Sequence, residues 1–328
     1  MPEDNSVFRV KRDRFPFPAF SIFPPPSSLL YLLIVRFQKL TLIGVGLLGG
    51  SLGLAVKQRC LADQVHGFVR RKAAVAECEK LGVVDHATLD LARAVENADL
   101  IVLGTPIAQM RALTEKMLPE LKRGALVTDV GSVKGGLVQD LERLAAKAGA
   151  HFIGSHPMAG AEKMGARSAQ ADLFSNAVCV ITPTPNSKRE LVRQLEVFWK
   201  AVGARPLKLS PELHDDLVGR CSHLPHVVAA ELANYILSPV HPPEQAMLCA
   251  NGFRDTTRIA SGSPEMWRDI ALANRNNLAR VLGVFIEDLQ EFQYALEHGD
   301  QKTVEEFFQK AKQRRDAWCG QNASPSPE

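Results

Sequence analysis

Two patterns divide the chain. From Gln38 to about Leu209, short apolar runs alternate with stretches whose apolar residues recur every three or four positions; beyond Ser210 only the helical period persists. Segments 39–43, 65–69, 99–103, 125–130, 151–154, 178–182 and 206–209 read as strands. Segments 51–56, 71–81, 91–97, 109–121, 136–148 and 188–202 read as helices. That alternation predicts a mostly parallel sheet covered by helices. Pro211-Glu212-Leu213 opens a helical series to about Trp318, with breaks near 238–243 and 261–264 and long amphipathic stretches at 266–294 and 302–314. The expected fold is α/β: a parallel-sheet domain over 38–210 and an all-helical domain over 211–318. Apolar helix faces of this extent need covering. A second copy of the chain would do it, making a homodimer; a monomeric bundle folded onto the sheet is the other reading.

Between the first strand and the first helix stands Gly44-Val45-Gly46-Leu47-Leu48-Gly49. A strand–turn–helix with this glycine spacing is the start of a Rossmann-like dinucleotide-binding unit. Gly44 allows the tight turn, Gly46 lets a pyrophosphate approach the backbone, and Gly49 lets helix and strand pack closely. The N–H groups of Leu47, Leu48 and Gly49 face the phosphates at the helix start. Ligands of such sheets bind beyond the carboxyl ends of the strands, which directs attention to 69–71, 104–106, 131–134 and 155–160. Thr105 and Pro106 are expected to face the cofactor ribose. The second strand ends in Val69-Arg70-Arg71-Lys72, where NAD-binding chains carry an acid. Arg70 and Arg71 suit the 2′-phosphate of NADP, so NADP is placed ahead of NAD. The same arginines also fit a solvated helix start, and an arginine can stack on adenine with either cofactor.

Composition narrows the class. The chain has 328 residues, 46% hydrophobic and 23% charged, with a net charge of +3. That charge is too small, and too unclustered, to imply a nucleic-acid partner. The six cysteines are scattered without a C-x-x-C pair, which points to reduced thiols of a cytoplasmic protein and to no structural metal. The apolar run 29–35 is too short to span a membrane. Residues 1–37 are expected to be a disordered or spurious extension, from a start codon assigned too early, and 319–328 a disordered tail.

Ser155-His156-Pro157-Met158-Ala159-Gly160 follows the strand 151–154 on the ligand side. An imidazole there suits general acid–base work; capping of local backbone is the plainer reading. His156 does not stand alone. Asp129-Val130-Gly131-Ser132-Val133-Lys134, Ser222-His223-Leu224-Pro225-His226, Asp255-Thr256-Thr257-Arg258-Ile259-Ala260 and Pro264-Glu265-Met266-Trp267-Arg268-Asp269 follow in order. With the glycine turn, these motifs resemble those of the prephenate and arogenate dehydrogenase family of tyrosine biosynthesis, over about residues 38–316.

The resemblance implies oxidative decarboxylation of a cyclohexadienol: prephenate to 4-hydroxyphenylpyruvate, or arogenate to tyrosine. It implies that His156 binds the ring hydroxyl and promotes hydride transfer. Ser132 would share that hydroxyl beside the nicotinamide. Arg258 resembles the arginine that pairs with a substrate carboxylate, a task its fork suits. One of His223 and His226 lines the pocket, with His226 favoured by the motif. Glu162 and Asp255 resemble acidic residues at the pocket mouth, exposed loop charges being the other reading. Trp267 resembles a tryptophan near the substrate, supplied within the chain or across a dimer; a core aromatic is the alternative. No metal is expected, since aromatisation drives the decarboxylation. The chain is expected to lack an added regulatory domain, so any feedback by tyrosine would act at the active site. Rival readings are another two-domain dehydrogenase, acting on a 3-hydroxyacid or an imine, and a non-catalytic dinucleotide-binding sensor.

Overall fold

The computed structural model describes residues 36–160 and 164–322. The segment 1–35, Glu162 and the last six residues lie outside them. The first half builds β1 (Phe37–Ile43), α1 (Leu47–Gln58), β2 (Ala62–Phe68), α2 (Lys72–Lys80), β3 (His86–Thr88), α3 (Leu91–Val95), β4 (Leu100–Leu103), α4 (Ile107–Met117), β5 (Leu126–Asp129), α5 (Gly135–Lys147) and β6 (His151–Phe152). Six strands form one parallel sheet in the order β3-β2-β1-β4-β5-β6. The order reverses between β1 and β4, and the crevice at their carboxyl ends is the expected ligand position.

β4 and β5 are buried at every position, as central strands of a parallel sheet covered on both faces should be. The period of two divides them. Leu100 and Val102 pack with Leu40, Leu42 and Val65 on one face; Ile101 and Leu103 join Ile43, Met110, Val127 and Leu141 on the other.

The sheet departs from the predicted one after β6. Segment 151–154 is not a single strand. The chain leaves the sheet at Ile153 and starts a second one with β7 (Gly154–Pro157), which pairs antiparallel to β8 (Val178–Thr182). α6 (Arg189–Val202) then leads to β9 (Arg205–Lys208), parallel to β8. His156 therefore sits in a strand, not in the loop after one. Gly154 makes the close approach possible: a Cβ there would lie 2.4 Å from Thr182 Oγ1. The short β3 was also not foreseen.

The helical half comprises α7 (Pro211–Val218), a π turn (Gly219–His223), α8 (Leu224–Ile236), α9 (Pro243–Met247), α10 (Asn251–Thr257), a 3-10 turn (Arg258–Ser261), α11 (Pro264–Ala273), α12 (Arg275–Glu297) and α13 (Gln301–Asn322). Ser210 and Ser263 cap α7 and α11, their hydroxyls accepting from the Leu213 and Met266 N–H groups, with a proline in each first turn. The predicted breaks near 238–243 and 261–264 are present. The stretch 266–294 is two helices, parted at Asn274. Positions 319–322 continue α13 rather than starting a tail: no proline lies between Gln301 and Pro325, and a formed helix propagates one hydrogen bond per residue. Among the described residues, no helix is long and apolar enough to cross a membrane.

Candidate active site

The glycine turn has the geometry a dinucleotide needs. Gly44 has φ +99°, and a Cβ on Gly49 would lie 2.1 Å from the Gly44 carbonyl oxygen. The turn is thus closed against α1 by two residues without side chains. A Cβ on Gly46 would meet nothing within 4 Å, so its space is open to a ligand. No side chain caps the α1 N-terminus and its first turn holds no acid, which leaves its N–H groups for phosphate. Beside the turn, the buried Thr105 hydroxyl has no hydrogen-bond partner among the described residues. Arg70 and Arg71 are exposed between β2 and α2. These residues fit a nicotinamide dinucleotide.

β5 ends in Asp129, and the next turn leads into α5. Asp129 and Lys134 form an ion pair with both side chains fully buried. The carboxylate also accepts from the Gly131 N–H (2.9 Å) and, through its other oxygen, from the Ser155 N–H (3.1 Å). Asp129 thereby ties the Ser132 loop to β7, whose next residue is His156.

His156 is 8% exposed, and its Nδ1 lies 2.8 Å from Nε2 of His214 on α7. His214 Nδ1 lies 2.7 Å from an Asp215 carboxylate oxygen. Asp215 is itself held by the Lys134 and Gly135 N–H groups at 2.8 and 2.7 Å. A carboxylate only accepts, so His214 donates from Nδ1. In the neutral ring its Nε2 is then an acceptor, and His156 donates to it from Nδ1. That leaves His156 Nε2 as a lone pair, the tautomer a general base requires. Burial, followed by the charges of Lys134, His214 and His223, holds the His156 imidazole well below its ordinary pKa, so it stays neutral and ready to accept.

His223, in the π turn, is buried, its pKa lowered to about 4 chiefly by burial. Its Nδ1 meets the Asn274 amide at 3.1 Å. Its Nε2 has no partner in good hydrogen-bond geometry among the described residues, although the Ser132 backbone is near enough to favour the N–H form. His226, on α8, is half-buried and donates from Nδ1 to the Ser222 carbonyl at 2.9 Å, which leaves Nε2 as an acceptor. The Trp267 ring stacks on it at 3.7 Å and 28° within the same chain, and meets His223 edge-on. Arg258 begins the 3-10 turn packed against α8, and Asp255 is exposed on α10.

The structure therefore joins His156, Ser132, His223, His226 and Trp267 into one neighbourhood, and sets the turn bearing Arg258 against the helix that carries His226. Sequence reasoning missed His214, Asp215 and Asn274, and assigned no role to Asp129 or Lys134. A signal existed for two of them. His214 and Asp215 occupy, with Pro211 and Val218, the inward face of an amphipathic helix, where polar residues need a reason.

A glycine turn at the sheet's reversal point and a buried neutral imidazole braced from a helical domain define a two-domain nicotinamide-dependent dehydrogenase. Residues 52–208 match the prephenate dehydrogenase nucleotide-binding domain, and residues 210–310 the prephenate dehydrogenase dimerization domain. The chain belongs to the prephenate dehydrogenase family. It is 34% identical to prephenate dehydrogenase of Bacillus subtilis (strain 168) over 278 residues, 84% of this chain and 74% of that protein. Cyclohexadienyl dehydrogenase of Zymomonas mobilis is 31% identical, over 85% of this chain and 95% of that one. The crystal structure of prephenate dehydrogenase from A. aeolicus, in complex with hydroxyphenyl propionate and NAD+, superposes with a TM-score of 0.81 at 31% identity, covering 86% of this chain and 99% of that one.

Proposed function

We propose that this chain converts prephenate to 4-hydroxyphenylpyruvate and carbon dioxide, reducing NAD(P)+, as a cytoplasmic homodimer. The observation that carries the catalytic assignment is the Asp215–His214–His156 chain, whose hydrogen bonds leave His156 Nε2 as a buried acceptor. The oxidised nicotinamide, held by the glycine turn, the α1 N-terminus and Thr105, supplies the hydride acceptor. As the carbinol C–H bond breaks, His156 Nε2 takes the hydroxyl proton and the C–O bond becomes a carbonyl. The C–CO2 bond on the ring carbon para to that carbonyl then breaks, its electron pair passes through the conjugated ring to the carbonyl oxygen and aromatises it, and the proton returns to the phenolate oxygen. His214 and Asp215 stabilise the imidazolium formed in between. Burial excludes water, so these bonds act in a medium of low dielectric.

Ser132 shares the ring hydroxyl and Arg258 grips a carboxylate. His226 Nε2 and the Trp267 ring line the pocket, with Glu162 and Asp255 at its mouth. Arg70 and Arg71 favour NADP over NAD. Absorbance at 340 nm, with prephenate or arogenate and each oxidised cofactor in turn, tests all of this. We expect turnover of prephenate and a higher kcat/KM with NADP+. Turnover of arogenate alone would change the substrate, a strong preference for NAD+ would refute the arginine argument, and cofactor binding without turnover would mark a sensor.

A further inference from the structure

Asn274 belongs to none of the motifs named above, yet it closes the polar network of the site. It stands between the two helices, at once the C-cap of α11 and the N-cap of α12, with φ −108° and ψ 25°, and is 3% exposed. Its amide nitrogen donates to the Asp215 backbone carbonyl at 2.8 Å and to His223 Nδ1 at 3.1 Å, and its oxygen accepts from the Asn277 amide at 2.9 Å. The orientation is not free. A flipped amide would set its oxygen against the Asp215 carbonyl, acceptor against acceptor.

Of the two groups it joins, Asp215 stands on α7 just before the π turn Gly219–His223 and His223 ends that turn, a distortion of the kind often found at functional sites. Because Asn274 presents an N–H to Nδ1, a neutral His223 carries its proton on Nε2. That N–H is buried and faces the Ser132 backbone without a hydrogen bond of good geometry. The two buried histidines thus offer opposite polarity: His156 an acceptor, His223 a donor. A buried donor without a partner is unfavourable, and a bound oxygen would relieve it.

We propose that Asn274 is a positioning residue that locks His223 as an Nε2–H donor toward an acceptor oxygen of the molecule bound against Ser132. Through the Asp215 carbonyl, the same side chain ties this donor to the element that orients His156. The proposal rests on the dehydrogenase reading for what is bound, but the tautomer can be tested without it. The titratable groups facing His223 are Asp215 and His214 on α7, His226 on α8 and His156 on β7; Trp267 covers another side.

The test uses the full chain labelled with 15N-histidine. Long-range 1H–15N spectra report each tautomer, and the His223 signals are those lost in His223→Gln. The expected spectrum shows His223 as Nε2–H and His156 as Nδ1–H across pH 6–9. Asn274→Asp replaces the N–H facing Nδ1 by a carboxylate. His223 should then hold a proton on Nδ1 as well, and titrate near neutrality. While doubly protonated, the ring still donates from Nε2; as pH rises toward 9 the carboxylate keeps the remaining proton on Nδ1, Nε2 loses its hydrogen, and kcat/KM should fall by about tenfold or more relative to its value at pH 6. Weaker binding of reduced cofactor in this variant would place the acceptor oxygen on the nicotinamide carboxamide. Unchanged cofactor binding with a raised KM would place it on the substrate. A merely structural asparagine would lower the melting temperature and leave the pH profile in place; that result overturns the proposal. So does an Nδ1–H tautomer of His223 in the wild type, which decides the matter even if Asn274→Asp does not fold. Failure of the wild type to oxidise prephenate or arogenate defeats the dehydrogenase reading and leaves the spectrum to judge Asn274.

Discussion

The sheet half and the helical half of this chain differ in how far each is completed by its own residues. In the sheet half, β4 and β5 are covered on both faces, and the buried Asp129–Lys134 pair is satisfied by backbone from the adjoining turn and strand. In the helical half, Val240, Met247 and Leu248 are 82–83% exposed, and Tyr294, Phe308 and Trp318 about 60%. The sheet half is a finished core. The helical half supplies polar side chains to the site while leaving apolar ones uncovered, the pattern of a surface that meets another copy.

Breaking the chemistry at the sheet should give the largest effect. His156→Asn is expected to lower kcat by about 10²–10⁴-fold, with KM and melting temperature little changed; near wild-type kcat in steady-state assays would remove its assigned role. Next comes the buried pair. Lys134→Met leaves Asp129 charged and unpaired in the core, which should cost about 3–5 kcal/mol in denaturant unfolding. A loss below about 1 kcal/mol would mean that water reaches the pair.

Arg258→Ala should raise the substrate KM by about 10–100-fold with a smaller change in kcat, because a charge-assisted contact made in ground and transition state alike is lost. An unaltered KM would put the carboxylate elsewhere. Met247→Glu with Leu248→Glu should shift a dimer toward monomer in sedimentation velocity and lower the melting temperature by a few degrees, of the order of 1 kcal/mol. A wild type that is monomeric at micromolar concentration would refute the covering copy.

The smallest effect expected is on the pH dependence of stability. His156 and His223 are held neutral in the fold, His223 down to about pH 4, whereas an unfolded imidazole titrates near 6.5. Between those values the unfolded chain binds more protons than the native one. Stability should therefore rise as pH increases from about 4 to 6.5 and level off above. His223→Gln should flatten part of that slope, and a melting temperature constant over the window would contradict the burial of these rings.

Much of the architecture was readable along the chain because local rules agree with the tertiary outcome there. The glycine turn, the βαβ alternation and the serine–proline helix starts each leave a signature within a few residues. The split of 151–154 into two strands left none, since it depends on Gly154 meeting Thr182, a residue nearly thirty positions away. Asn274 ended a helix that apolar periodicity carried straight through, because its amide is used inward, against Asp215 and His223.

The site divides the same way. His156, Ser132 and Arg258 announce themselves by residue type and motif, since acid–base and carboxylate-binding chemistry admit few side chains. Which nitrogen of each histidine carries the proton was decided only by folding. That choice depends on which donor or acceptor lies about 3 Å from the ring, and the partners come from elements separated by tens of residues: His214 on α7 for His156, and Asn274 between α11 and α12 for His223. The sequence alone determined which chemical groups this protein owns. Tertiary structure decided which of them accept and which donate, because hydrogen-bond polarity in a buried site belongs to pairs of residues.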